Sequence, residues 1–330
     1  MYDVYGLGNA LVDMEFVIDD EFLDRHDIAK GHMTLVDDSK IDALVGDLDG
    51  HAPQKMSGGS AANTLIAVQA FGAKTFYSCK VAGDATGEYF LSDLSDAGVV
   101  VNENAANGQG KSGHCLVLIT PDAERSMNTF LGVSSHLSTG EVDEAALARS
   151  RYFYVEGYLS SSEQALQAAV TARQIAEDNN VKTAVSLSDP SMVEFFRDNL
   201  TAILGNGVDH LFCNEEEALT WAGTDSLETA IRELRDIARQ INITLGARGS
   251  LVVDAHSQTL VPGNPVAAVD TNGAGDIYAG GCLYGWVSGM NPEQAARLGN
   301  HAAAELVKHF GARLRKLDHY SQTLQGFLER

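Results

Sequence analysis

Asp270-Thr271-Asn272-Gly273-Ala274-Gly275-Asp276 is the stretch on which the reading of this chain turns. Before it lies the apolar run Pro265-Val266-Ala267-Ala268-Val269, which reads as a short buried strand. After it comes Ile277 to Trp286, which reads as a tightly packed helix. Strand, glycine-rich turn and helix together make an anion site. Gly273 and Gly275 let the backbone turn its N–H groups one way, and the helix adds the positive end of its dipole. Asp276 puts a carboxylate where an anion should bind. Two readings of it stand at this point: a charge that favours the helix N-terminus, and a base that takes a proton from an attacking hydroxyl.

Upstream of this turn the chain alternates strands and helices. Tyr152 to Val155, Thr183 to Leu187, Asp209 to Cys213 and Ile241 to Leu245 read as strands. Glu163 to Asp178, Glu215 to Trp221 and Leu227 to Ala238 read as helices. Such alternation predicts an α/β fold, a doubly wound and mostly parallel sheet covered on both faces. The first third differs. Leu11 to Ile18 alternates like an exposed strand that Met33 to Val36 could pair with, and His114 to Ile119 with Arg125 to Leu131 reads as a hairpin. Gly58-Gly59 opens a helix from Ser60 to Phe71, with Asn63 in its first turn. A strand from Thr75 to Val81 and a helix from Gly87 to Leu94 follow. No repeat or linker divides the 330 residues, so a single core spans 1–330, with a smaller β unit from about 11–37 and 108–132.

Two familiar patterns fail on inspection. Gly6-Leu7-Gly8 follows a strand, but the third glycine position of a dinucleotide fingerprint is Leu11 and no helix comes next, which disfavours an oxidoreductase. Gly110-Lys111-Ser112 resembles the end of a P-loop, but Ala105 stands where its first glycine belongs and a strand follows. Lys and Arg number 23 against 45 Asp and Glu, a formal charge of −22, which repels nucleic acid and anionic membrane and makes any phosphate site local. No basic then apolar leader opens the chain, and no apolar run nears the roughly 18 residues that span a bilayer. The expected setting is cytoplasmic. Cys79, Cys115, Cys213 and Cys282 are scattered through apolar runs, as buried free thiols would be. The sequons at Asn199 and Asn242 carry no weight without a secretory signal.

Other polar clusters stay open on spacing alone. Asn214 and Glu217 sit just past a strand end, where they could cap the next helix or hold water around a magnesium ion. Thr244-Leu245-Gly246-Ala247-Arg248-Gly249 is a strand end with a glycine turn leading into Ser250 to Asp254. Arg125 follows Asp122-Ala123-Glu124 in a turn, and His301 and His309 decorate a helical face.

Taken in order, Asn9 and Asp13, Gly58-Gly59 and Asn63, Gly83-Asp84 and Gly87, Asn214 and Glu217, Thr244, Gly246 and Gly249, and Asp270 to Asp276 resemble the ribokinase-like (PfkB) family of sugar and nucleoside kinases over most of the chain. Gly8 to Asp13, Glu124 to Gly132 and Glu156-Gly157-Tyr158-Leu159 look like its bacterial adenosine kinase branch. The resemblance implies a small β-sheet lid over a doubly wound core. It also implies transfer of the γ-phosphoryl group of ATP, with Mg2+, to a primary hydroxyl, the 5′-hydroxyl for a nucleoside. Asp276 would be the base, and the amides of Asn272, Gly273, Ala274 and Gly275 the anion hole. Arg125 would reach toward the phosphates. Asp13, Asn9, Asn63 and the Gly58-Gly59 backbone would hold the acceptor. Thr244, Gly246, Gly249, Asp270 and Thr271 would lie on the ATP side with Asn214, which with Glu217 would organise the metal shell through water. Many members also use a monovalent cation such as K+, which Gly311-Ala312 would adjoin. Phe16, Phe130 and Tyr158 are the candidates for stacking on a purine. A sugar kinase acting on ribose, fructose or a keto-deoxy sugar acid shares every catalytic motif. A non-catalytic nucleoside sensor would need a lost base or acceptor acid, and both are present. The expected assembly is a monomer or homodimer.

Overall fold

The computed structural model describes residues 1–31, 33–48, 54–122 and 124–329. Ala123, in the turn before Arg125, lies outside the described residues. In chain order the strands are β1 (Val4–Leu7), β2 (Leu11–Val17), β3 (Met33–Leu35), β4 (Gln54–Gly58), β5 (Thr75–Ser78), β6 (Val100–Val101), β7 (Gly113–Ile119), β8 (Arg125–Phe130), β9 (Tyr152–Glu156), β10 (Lys182–Ser186), β11 (Val208–Asn214), β12 (Ala238–Thr244), β13 (Gly249–Val253) and β14 (Gln258–Pro262). Nine of them form a large sheet in the order β14-β13-β12-β11-β10-β9-β1-β5-β6. The other five form a small sheet in the order β3-β8-β7-β2-β4. From β12 to β6 the large sheet is parallel, and β13 and β14 extend it as an antiparallel hairpin edge.

Both faces of the large sheet are covered, as near-continuous apolar strands require. On one side, helices Glu163–Asp178, Arg197–Leu204, Glu215–Ala222 and Leu227–Leu234 bury Ala169, Leu200, Trp221 and Leu234. On the other, helices Ser60–Ala70, Ala85–Asp96, Ala274–Val287 and Pro292–Leu306 bury Leu65, Phe90, Leu283 and Ala296. The helix Ala274–Val287 is held close by small residues: a Cβ on Gly280 would lie 2.7 Å from that of Ala67, and one on Gly281 2.8 Å from Gly299 Cα.

The small sheet follows the period of two. Leu11, Asp13, Met33, Leu35, Cys115, Met127, Thr129 and Leu131 line a cavity, while Phe16, Leu116 and Leu118 turn away and pack on Phe22, Ile41 and Leu44 of helices Asp20–Arg25 and Asp38–Asp47. β1 runs through Gly8-Asn9-Ala10 straight into β2, so the small sheet stands over the C-terminal ends of the large sheet's strands.

Three expectations change. Met33–Leu35 pairs with β8 and not with β2, whose two edges are taken by β4 and β7. Pro265 to Val269 is not a strand. Val266 and Val269 are exposed, the segment lies beyond the edge strand β14, and Val269 donates its N–H to Val307 (2.7 Å). The helix from Leu227 stops at Leu234, and Ala238 already belongs to β12, paired with Val208.

Candidate active site

Gly273 starts the helix Ala274–Val287 with φ +72°, and a Cβ there would meet the Ala312 carbonyl oxygen at 2.1 Å. Only glycine fits this turn. The Asn272 amide donates to Asp270 Oδ1 (3.0 Å) and the Ala274 amide to the Thr271 carbonyl (3.2 Å). Among the described residues the amides of Gly273, Gly275 and Asp276 have no protein acceptor, so these three remain for an anion. The expected set of Asn272 to Gly275 therefore loses Asn272 and Ala274, because closing the turn consumes both.

Asp276 stands in the first turn of that helix. Ser60 Oγ donates to its Oδ1 (2.7 Å) and Asn63 Nδ2 to its Oδ2 (3.0 Å). It is reachable from the cavity but deep in the protein, and burial pushes its pKa up to about 6 against the opposing pull of those two donors. Asn63 lines the cavity, but its amide nitrogen serves Asp276, and its Oδ1 is buried without a partner among the described residues.

Asp13 projects from β2 over Gly58, whose missing side chain makes the room, since a Cβ there would lie 2.5 Å from both carboxylate oxygens. Among the described residues no donor bonds this carboxylate. Burial first, then the negative charges of Glu15 and Asp276, raise its pKa to about 7, and Arg313 and Arg125 oppose the shift. Asn9, expected beside it as an acceptor ligand, is instead committed to the protein. Its Nδ2 donates to Glu156 Oε1 (2.8 Å), and its Oδ1 accepts from Ser134 Oγ (3.0 Å). Its position in the β1–β2 turn sets the course of the chain toward Asp13.

Arg125, from β8, crosses to the loop before the anion turn. Its Nη1 donates to Glu15 Oε1 (3.0 Å), and its Nη2 lies 3.0 Å from Asp270 Oδ2, in contact but out of line for a hydrogen bond. Gly311 N also donates to Asp270 Oδ2 (2.7 Å). Asp270 is therefore a hub that ties Arg125, the anion turn and the Gly311 loop together.

Asn214 and Glu217 form a reciprocal cap at the start of helix Glu215–Ala222: Asn214 Oδ1 accepts from Glu217 N (2.7 Å), and Glu217 Oε2 accepts from Asn214 N (3.1 Å). Both also line the cavity, and burial carries Glu217 up to about 8. Among the described residues no three acidic, His or Cys side chains gather into a metal cage. The oxygen donors of Glu217, Asp276 and Asp13 nonetheless line one cavity, which suits a magnesium ion that arrives with phosphates and keeps its waters.

The cavity holds about 320 Å³. It brings together Asn9, Asp13, Gly59, Asn63, Asn214, Glu217, Thr244, Asn272, Gly273, Gly275 and Asp276 from both sheets, at the ends of β1, β9, β10, β11 and β12. Gly58, Arg125, Gly246, Gly249, Asp270, Thr271 and Ala274 are not part of its wall. Gly249 packs against β14, where a Cβ would meet Val261 O at 2.1 Å. Of the three aromatic candidates only Tyr158 lines the cavity; Phe16 and Phe130 pack on the far side of the small sheet. Sequence reasoning missed Ser60 and Glu156 as parts of the site.

The pfkB family carbohydrate kinase model matches residues 31–318. Adenosine kinase 1 of Arabidopsis thaliana is 28% identical over 93% of this chain and 94% of its own. Among solved structures, an adenosine kinase from Sinorhizobium meliloti superposes with a TM-score of 0.89 at 33% identity, covering 98% of this chain and 99% of that one. A probable sugar kinase from Rhizobium etli CFN 42 gives 0.91 at 30%, covering 99% of each chain. Matched in this way over most of its length, the chain is a kinase of the pfkB carbohydrate kinase family.

Proposed function

We propose that this kinase moves the γ-phosphoryl group of Mg-ATP to the 5′-hydroxyl of a nucleoside, with adenosine the first choice. The observation that carries the reading is the division of one cavity into two kinds of wall. The core supplies Asp276 and the Gly273 and Gly275 amides, and β2 of the small sheet supplies the unbonded Asp13 carboxylate. Around Asp13 the small sheet presents Leu11, Met33, Leu35, Met127 and Leu131, and Tyr158 lines the cavity from the core. A hydroxylated sugar would leave that apolar wall bare, whereas a nucleobase covers it and leaves its ribose to the acids.

In this reading Asp13, acceptor-only when ionised, accepts hydrogen bonds from the ribose hydroxyls, and Asn63 Oδ1 adds a second acceptor. Asp276, fixed by Ser60 and Asn63, takes the proton of the 5′-hydroxyl as its oxygen bonds to phosphorus and ADP leaves. The free amides at the helix N-terminus bear on the charge of the transferring group. Thr244 and the turn through Gly246 and Gly249 lie on the nucleotide side. Asn214 and Glu217 would hold magnesium through water, and the ion would neutralise phosphate charge. Arg125, now on Asp270 and Glu15, is within the same seam and would turn to the phosphates. The small sheet, including β4, would act as the lid.

A sugar acceptor is the second reading, favoured by the likeness to the probable sugar kinase structure. ADP release from Mg-ATP, measured with adenosine, inosine, guanosine, ribose, fructose and a keto-deoxy sugar acid, separates the two. Turnover with adenosine at micromolar concentration supports the nucleoside. Turnover with a sugar alone overturns it and leaves the chemistry at Asp276 in place.

A further inference from the structure

Glu156 ends β9 and is fully buried, yet every partner of its carboxylate belongs to the acceptor side of the site. Oε1 accepts from both the backbone N–H and the side-chain Nδ2 of Asn9, each at 2.8 Å, and Oε2 accepts from the N–H of Ala61 at 2.7 Å. Three donors therefore converge on one carboxylate. The Ala61 bond fills a gap that the sequence leaves open, because the helix Ser60–Ala70 begins at Gly59 and has no side-chain cap of its own. Glu156 supplies that cap from another element, and the space for it comes from Gly8, where a Cβ would lie 2.7 Å from Oε2.

The two segments that Glu156 holds carry the chemistry. One is the Gly8-Asn9-Ala10 turn that leads into Asp13. The other is the first helical turn, whose Ser60 and Asn63 grip Asp276. They meet at the point where the chain leaves β1 for one side of the large sheet and returns as β9 on the other. We propose that Glu156 is a positioning residue for phosphoryl transfer, setting the acceptor acid and the base-holding turn from a single carboxylate. The inference rests on the kinase reading above and adds to it a residue that touches neither reacting atom. Burial raises its pKa to about 7 against the pull of the three N–H donors from Asn9 and Ala61, which favour the charged form.

Glu156→Gln tests this in the full chain. It keeps size and shape but replaces one acceptor oxygen with a donor, so that one of the three N–H groups must face another N–H. With the acceptor that the wild-type chain phosphorylates, KM for that acceptor is expected to rise about tenfold and kcat to fall about tenfold, while KM for ATP stays within about twofold. A folded variant with all three constants within about twofold of wild type overturns the proposal, and so does an equal rise in both KM values. Amide exchange on the wild-type chain keeps the idea testable if the variant does not fold. The Asn9 and Ala61 amides should be protected and become more so on acceptor binding; fast exchange, or no response to the acceptor, overturns it. Failure of the kinase reading would show separately, as absence of ADP release by the wild type.

Discussion

At the scale of single residues, Asp276 carries the strongest consequence. Asp276→Asn keeps both hydrogen bonds within reach but cannot take a proton, so kcat is expected to fall by about two to four orders of magnitude with acceptor affinity nearly intact. Because burial has raised this carboxyl to about 6, the wild type should lose kcat/KM as pH falls below that value, and Asp13, at about 7, should weaken acceptor binding over a range just above it. A profile flat from pH 8 down to pH 5, or a variant within a few-fold of wild type, would remove the base from this mechanism. Asp276 and Asp13 could be read from the sequence because each sits in a short motif with its own local logic. Ser60 and Glu156 could not. Their meaning lies in hydrogen bonds to groups 216 and 95 residues away, and nothing in the neighbouring sequence marks a serine or glutamate for such a partner.

Elements set how well those residues meet. The helix Ala274–Val287 is aimed by contacts between small residues, and Gly280 against Ala67 is the one that joins it to the helix bearing Ser60 and Asn63. Gly280→Ala adds a methyl where a Cβ would lie 2.7 Å from another, and the pair of helices must separate. A loss of about 1–3 kcal/mol of stability is expected from overpacking, together with a fall in kcat larger than the change in ATP KM. Thermal melts and steady-state kinetics on the same preparation would show it, and a variant as stable and fast as wild type would show that the contact is slack. The packed character of this helix was legible in its run of Gly, Ala and Cys. The strand expected before it was not there, since a five-residue apolar run headed by proline fits an exposed crossing as well as a buried strand. In the small sheet the period of two already places Phe16 three positions from Asp13 and hence on the opposite face. The alternation along Leu11 to Ile18 contained that answer, whereas the pairing of Met33–Leu35 with β8 depended on which neighbours β2 had already taken.

For the whole molecule, charge decides how stability answers to pH. Asp13, Glu156, Glu217 and Asp276 have folded pKa values of about 7, about 7, about 8 and about 6, all raised by burial. In the unfolded chain such groups titrate near 4. Between those limits the folded state binds more protons than the unfolded one, so folding is favoured at the acid end and the contribution is lost as pH rises through about 6 to 8. The formal charge of −22 acts the same way, because protonation near neutrality relieves self-repulsion of the compact state. The melting temperature of the ligand-free chain is therefore expected to climb as pH is lowered from 8 to 6, and to climb with added salt at pH 8, where screening replaces protonation. Mg-ATP should flatten the pH response, since magnesium beside Glu217 would favour the ionised carboxylates that burial disfavours. Melting curves at pH 6, 7 and 8, with and without salt, test the argument: a melting temperature that falls on acidification would mean that these carboxylates are ionised and paired in the folded protein, and that the acids of the site are held apart by more positive charge than Arg125 and Arg313 supply.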